Sequence, residues 1–365
     1  MVKNKYFYFL FLLNALINIV NFVPRGLIAE RFNGAMMAIV VSVPIGLTLM
    51  YLCVKMLNKF PGEGLPEIYN ANYPKLVSKA MLFGHTLFWY MAGLITLISF
   101  VDVTMRYITS DVSSLLIMIG FLVVVCLAIR LTAESILYAL EVVIILNVPI
   151  IIYVLIKALL NPMFSWDAVM QVITYSFKVP SYGAIADATF IFTGYLNLAI
   201  FNRTFNKVRI RHIWLIGVVG FLVLITSVLI PVGYQGTLGV ERHVYPWFST
   251  ADVLRTKNFI IERVLFFFYF TYLTLSLVSS IVHWHVALEM FKGVFTIKEK
   301  KKRKVDPEWW MILAFCIAAL FALNTGQFLR NRAGLWFLNI RLVAEIFLIA
   351  SVYLAHKLRG AKKRE

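Results

Sequence analysis

No polar stretch of this sequence is long enough to fold as a soluble catalytic domain. It has no phosphate-cradling glycine loop, no paired cysteine set and no serine or cysteine elbow with a placed base. Those absences remove the familiar signatures of nucleotide binding, metal ligation and triad hydrolysis, though they do not by themselves exclude an enzyme. Cysteine is scarce. Cys53, Cys126 and Cys316 are far apart, each inside an apolar run. They read as buried small hydrophobes rather than disulfide or metal partners, and neither a metal nor a cofactor is expected. The first apolar run lacks a small-residue cleavage site after its core, so it does not read as a removable signal peptide.

What the sequence has in excess is apolar surface. Of its 365 residues 61% are hydrophobic, with a mean hydropathy of +0.82. Soluble domains run at about 45–50% apolar, and about 20 apolar residues cross a bilayer as a helix. The expected fold class is therefore an all-α polytopic membrane protein. The net charge of +17 could suggest a nucleic-acid partner. The Lys and Arg lie mostly between apolar runs, where they orient a membrane protein, so no nucleic acid is expected.

Ten spans can be marked: 6–32, 35–57, 80–101, 112–129, 136–159, 184–201, 213–232, 260–286, 309–323 and 335–353. Placing both termini in the cytoplasm puts most of the 35 Lys and Arg on the inner side. The basic runs 298–304 and 357–364 then also face anionic lipid. The segment 60–79, with Pro61, Gly62, Gly64, Pro66 and Pro74, reads as an inner loop carrying a short helix. The segments 161–181 and 233–257 read as outer loops, with Trp166, Tyr175, Tyr245 and Trp247 suited to the headgroup level.

Span 1 is interrupted. Asn14, Asn18 and Asn21, then Pro24 and Arg25, sit inside a run otherwise fit to cross a bilayer. Asn is a poor helix former, and Pro24 removes a donor and disfavours the α region for Val23. In lipid such a break is tolerated only where protein or a water-filled cavity satisfies the freed backbone groups. Ten spans divide as five plus five, so the second half would enter from the opposite side, as an inverted repeat with span 6 broken like span 1. Thr193, Gly194 and Asn197 supply break residues at mid-span. This gives a first five-helix repeat over 1–160, an outer connecting loop over 161–181, a second repeat over 182–357 and a basic cytoplasmic tail over 358–365.

Several local patterns then converge. Pro24-Arg25 follows the break in span 1, and Lys59-Phe60-Pro61-Gly62 with Leu65 and Glu67 follows span 2. Phe192-Thr193-Gly194 lies in span 6, and Tyr245-Pro246-Trp247 precedes Ile261-Glu262-Arg263 at the head of span 8. In this order and spacing the chain resembles the B subunits of spore germinant receptors, a branch of the amino acid–polyamine–organocation transporter superfamily. The resemblance covers nearly the whole chain. It implies a small germinant, an amino acid or sugar, bound between spans 1, 3, 6, 8 and 10. It also implies A-type and lipoprotein C-type partner subunits in the spore inner membrane.

Carried over by these anchors, the site falls on Ile17, Asn18, Ile19, Val20 and Asn21 of span 1. In span 6 it takes Phe192, Thr193 and Gly194; in span 8, Ser279 and His283. Spans 3 and 10 contribute Thr96, Leu97 and Phe100, then Phe337. The sequence departs from the family pattern at Ile17 and Ile19, where relatives carry a glycine pair, and at Val264, where they carry an acidic residue. These departures point to a ligand other than the common one.

A broken-helix pair offers free N–H groups to an anion and free carbonyls to an ammonium, so it can hold a zwitterion with few charged side chains. The bland alternative for the asparagines is simple interhelical cross-linking. His283 and His285, two apart, lie on different helix faces and do not suggest a shared metal. Arg341 and Glu345, four apart, read as a structural pair. Glu141 and Asp187 are the acidic residues that a proton- or cation-coupled transporter would use. Besides the germinant sensor, two other functions stay open: a working amino acid or organic-cation symporter, and a membrane enzyme such as an acyltransferase using His283.

Overall fold

The computed structural model describes residues 1–20, 22–255, 262–295 and 307–361. Apart from a single bridge between Arg255 and Arg263, the described residues form helices, turns and loops only. The basic run 298–304, the tail residues 362–365 and Asn21 of the expected site lie outside the described residues.

Span 1 is broken as its composition demands. It comprises α1 (Lys5–Ile17) and α2 (Phe22–Ala29), inclined at 55° to each other. Then follow α3 (Ala35–Leu57), the short α4 (Leu65–Asn72), and α5 (Lys75–Tyr107). The inner-loop helix expected between 60 and 79 is α4, whose start is fixed by Glu67 Oε2 accepting from the Gly64 amide at 2.7 Å. Next come α6 (Ser114–Ala128), α7 (Ala133–Leu159) and α8 (Trp166–Ile173). Span 6 opens with α9 (Tyr182–Thr189), tightens into a 3₁₀ helix over Phe190–Asn197, and closes with α10 (Leu198–Phe201). The remainder is α11 (Ile213–Gly239), α12 (Pro246–Val253), α13 (Val264–Phe295), α14 (Pro307–Leu323) and α15 (Gln327–Ala361).

Among the described residues seven helical segments, the α9–3₁₀–α10 run counted as one, are long and apolar enough to cross a membrane, and the α1–α2 pair makes eight. The helices at expected spans 4 and 9, α6 and α14, have 15 and 17 residues. At 1.5 Å per residue both fall short of the roughly 20 residues a full crossing takes. A polytopic membrane fold is what length and composition establish, rather than a count of ten.

The expected break in span 6 takes a different form from an unwound gap. A 3₁₀ run keeps the chain helical through i→i+3 bonds, and its carbonyl oxygens, with two lone pairs each, can accept a further donor. Asn14 of α1 fills that role: its Nδ2 donates to Phe190 O at 2.6 Å, to Ile191 O at 3.3 Å and to Thr193 Oγ1 at 3.2 Å. Gly194 permits the approach, because a Cβ there would lie 2.2 Å from Leu10 O. The two interrupted segments therefore meet.

The most extensive helix contact is between α5 and α13. Trp284 of α13 lies over Gly93 of α5, stacks on Tyr90 with centroids 5.3 Å apart, and donates from Nε1 to Tyr90 O at 3.1 Å. Trp166 is exposed on α8. Tyr245 and Trp247 are buried against neighbouring helices, Trp247 stacking on Phe268 with centroids 5.5 Å apart. Pro246 starts α12 and folds it back over α5 and α13, which draws both rings inward. In the aromatic run of α13, Phe266 and Phe270 are exposed while Phe268 is buried, as the helical period requires.

Two outcomes follow. Cys126 of α6 and Cys316 of α14 are free thiols whose Sγ atoms lie 3.0 Å apart, while Cys53 is buried elsewhere. Mild oxidation of membranes with copper-phenanthroline should join Cys126 to Cys316 and leave Cys53 reduced, as read by peptide mass spectrometry; failure to cross-link would place α6 and α14 apart. Gly194→Val should lower the unfolding temperature of the solubilised protein by an overpacking cost of at least about 1–3 kcal/mol. The control Gly120→Ala, which meets nothing within 4 Å, should not lower it.

Candidate functional site

The α1 break and the 3₁₀ segment frame two adjoining cavities at the centre of the bundle. One, of about 50 Å³, is lined by α5, the 3₁₀ segment, α13 and α15. The other, of about 20 Å³, reaches α1. Ala92, Phe190, His283 and Phe337 border both. One water needs about 10–15 Å³ of such space, so the enclosed volume holds a few waters. A solute with several heavy atoms enters only if wall side chains turn aside.

Seven of the expected residues line this space. Ile17, Asn18, Thr96, Ser279, His283 and Phe337 border the smaller cavity, and Thr193, His283 and Phe337 the larger. Gly194 does not line it and serves close helix packing instead. Phe192 points the other way, against Gly46 and Gly220, and stacks on Phe11 with centroids 6.2 Å apart. Ile19 and Val20 border a separate pocket with Trp247 and Tyr272. Leu97 is buried in the core, and Phe100 packs against Phe121 at 4.2 Å and Tyr269 at 5.6 Å.

Sequence reasoning passed over the rest of the wall. On α5 the lining positions include His85, Phe88, Trp89, Ala92, Ile95 and Thr96, one face at helical spacing. On α15 they include Phe337, Arg341 and Glu345. The spacing signal was present in both helices, but apolar neighbours on every side masked which face turned inward. Trp89 Nε1 donates to Asn197 Oδ1 at 2.8 Å, and Asn197 Nδ2 donates to Gly194 O at 3.2 Å. His85 Nε2 lies 3.3 Å from Tyr69 Oη, which is itself 2.5 Å from Ser351 Oγ. That relay joins the cavity wall to α4 at the amino-terminal end of the bundle.

The charges at the site are balanced. Arg341 Nη1 binds Glu345 Oε2 at 2.5 Å, and both side chains are buried. Arg341 Nη2 also donates to Ala186 O at 2.5 Å and to Thr189 Oγ1 at 3.1 Å, while Tyr195 Oη donates to Glu345. The pair expected from sequence as structural is real, and it also borders the larger cavity. His283 Nδ1 is held by Ser279 O at 2.7 Å, and His285 Nδ1 by Ile129 O at 2.8 Å, so the two rings serve different neighbours. Glu141 is at the amino-terminal end, bound by Lys5 and by Tyr6 Oη. Asp187 is buried beside Gly26, and its Oδ1 has no hydrogen-bond partner.

The two ends of the bundle differ. Toward the end opposite the amino terminus, a cavity of about 210 Å³ is bordered by Asp102, Tyr245 and Arg330. It shares Phe22 and Ile95 with the smaller central cavity. The Phe22 ring, pressed against Gly334, is the partition between them. The amino-terminal end is closed by a chain of ion pairs. Arg203 binds Glu67 at 2.7 Å and Glu289 at 2.5 Å; Lys292 binds Glu289 at 2.6 Å and Glu308 at 2.5 Å; Glu308 binds Arg130 at 3.3 Å. This chain ties α4, the 3₁₀ turn Asn202–Thr204 after α10, α13, α14 and the α6–α7 turn together.

Breaking one side of the Arg341–Glu345 pair leaves an uncompensated buried charge, at a cost of about 3–5 kcal/mol. Arg341→Met should therefore sharply reduce folded protein in membranes. The double variant Arg341→Met with Glu345→Gln should recover most of it, as measured by fluorescence-detected size exclusion. Equal loss in both variants would show that the pair is not coupled.

A model of the spore germination protein family matches residues 4–327. No curated protein matches the chain. The match spans the α1 break, the 3₁₀ segment and the whole α5–α13 contact, and stops at the start of α15. The chain belongs to the spore germination permease family, that of the germinant receptor B subunits.

Proposed function

We propose that this chain is the germinant-sensing subunit of a spore germination receptor. It binds a small solute, an amino acid or a sugar, in the central cavity. It passes the resulting change of arrangement to A-type and lipoprotein C-type partner subunits. The observation that carries this reading is the meeting of the α1 break and the 3₁₀ segment at two adjoining, mainly apolar cavities into which Asn18, Thr193, Asn197 and His283 bring polar groups. Because Arg341 and Glu345 neutralise each other, the site favours a solute of zero net charge, either a zwitterion or a polyol. In this reading α6 and α14 complete ten spans, arranged as two inverted five-helix repeats over 1–160 and 182–357. Both termini face the cytoplasm, and the protein resides in the spore inner membrane.

On that orientation the 210 Å³ cavity opens outward and the chain of ion pairs closes the inner end. Germinant enters past Phe22 and is held against a sealed floor. A ligand shifts such an equilibrium only through unequal affinity for the two arrangements. Closure of α2 over the solute, with Phe22 and Phe190 repacking, supplies that inequality. The His85–Tyr69–Ser351 relay then carries the change to α4.

One observation favours a coupled transporter instead. Asp187 is a buried carboxyl with an unpartnered oxygen, the kind of group that carries a proton between two arrangements. Proteoliposomes holding this chain alone separate the readings. Binding of labelled germinant without flux, together with co-purification of two partner subunits, supports the sensor. Saturable flux supports the symporter.

Thr193→Val and Ser279→Ala, which remove the hydroxyls with little change of volume, should each raise the germinant concentration for half-maximal response at least tenfold, equivalent to about 1.4 kcal/mol of lost binding. Protein level in spore membranes should be unchanged. A normal response from both variants would move the pocket elsewhere.

A further inference from the structure

Between α5 and α15 the bundle surface carries a cavity of about 690 Å³, more than ten times the roughly 50 Å³ of the larger central cavity. Its floor is Phe88, Met91 and Phe337, and its rim includes Leu87, Leu329 and Trp336. The rim side chains are exposed, at 48%, 57% and 58% respectively. The groove lies between two membrane-crossing helices, so it opens to hydrocarbon. Among its lining residues one side chain is charged: Arg332, in the second turn of α15, at the end opposite the amino terminus. Arg332 is exposed and lies over the Trp336 ring, 5.8 Å from its centroid.

We propose that this groove is a binding site for an anionic phospholipid. One acyl chain lies against Phe88 and Phe337, and the phosphate headgroup pairs with Arg332. Three features choose a lipid over a partner helix. The rim is bulky, whereas helix–helix contacts in membranes favour small residues that let backbones approach. The floor includes the Phe88 and Phe337 rings with centroids 6.2 Å apart, a spacing that suits a flexible chain better than a cylinder about 10 Å across. And the one cation sits where headgroups lie, beside an aromatic ring of the kind found at membrane interfaces.

The occupant would act on the central cavity directly. Phe88 and Phe337 line the groove on one side and the larger cavity on the other. Their rings are 6.2 Å apart, and Phe337 meets Phe190 edge-on at 6.0 Å. Phe190 begins the 3₁₀ segment held by Asn14. An acyl chain in the groove therefore keeps Phe337 turned toward the cavity, and its departure frees that ring to swing outward. Lipid composition becomes an effector of the site. This last step rests on the solute-binding reading; the lipid site itself does not.

The test uses the full chain in detergent. Native mass spectrometry should show phosphatidylglycerol retained about fivefold more strongly than phosphatidylcholine, the weight of one basic residue at an anionic headgroup. Arg332→Gln should abolish that preference. Gly84 is part of the groove wall, and a side chain added there meets nothing within 4 Å. Gly84→Phe should therefore take up part of the groove and weaken lipid retention without lowering the unfolding temperature. In bilayers, brominated-chain phosphatidylglycerol should quench a fluorescence component that Trp336→Phe removes, and Gly84→Phe should reduce that quenching.

Equal retention of the two lipids by the wild-type chain would overturn the proposal. So would an unchanged preference in Arg332→Gln. A dimer or partner subunit that shields Trp336 from the brominated lipid would overturn it in favour of a protein occupant. If lipid binds as described but germinant response is indifferent to Gly84→Phe, the site stands and its coupling to the cavity fails.

Discussion

Inside a bilayer every backbone N–H and C=O must find a partner within the protein, and the side-chain amide of Asn14 meets that demand where two helices depart from α geometry. Its Nδ2 donates to carbonyls of the 3₁₀ segment, at 2.6 Å for Phe190 O. Its own Oδ1 accepts from Asn18 Nδ2 at 3.3 Å. One α1 side chain thus bonds both to the 3₁₀ segment and to the α1 break. The remaining helices pack around that joint, and the cavities beside it exist because the joint keeps two irregular backbones together at mid-bundle.

Charge is distributed to match. At the centre Arg341 and Glu345 cancel, and each also bonds groups near the 3₁₀ segment, Arg341 to Ala186 and Thr189 and Glu345 to Tyr195. A buried pair of this kind contributes little net stability and is better understood as fixing geometry. It sets α15 against α9. At the amino-terminal end the ion pairs are partly exposed and individually weak, but they are linked, so Arg203, Glu289 and Lys292 hold five segments together. The opposite end has the 210 Å³ cavity and a single aromatic partition, Phe22. A molecule shut firmly at one end and thinly at the other suits a ligand that arrives from one side.

Much of this was legible in order along the chain. The apolar runs gave most helices to within a few residues, and α3 begins and ends where its run does. The asparagines and Pro24 marked the break in span 1, and the Pro- and Gly-rich segment after span 2 marked α4. Span 6 was legible as irregular but not as 3₁₀. Thr193 and Gly194 permit either form, and the choice was made by Asn14, a residue of another helix. That Tyr245 and Trp247 pack within the protein was not legible for a similar reason. An amphipathic ring suits the headgroup level by composition, and composition does not show that α12 folds back and buries both.

Hydropathy is a sum along the chain, so the sequence alone determined the membrane class, the position of most spans and the place of the first interruption. It could not determine which side of each span faces the cavity. In lipid the outward face is as apolar as the packed one, so the periodic contrast that orients a helix in water is nearly erased. That is why Thr96 was placed in the site while His85 and Trp89, on the same face of α5, were passed over and Phe100, which packs against Phe121, was included. Only tertiary packing turned those faces inward, bonded Arg341 to the turn around Thr189, and made adjoining cavities where two interrupted helices meet.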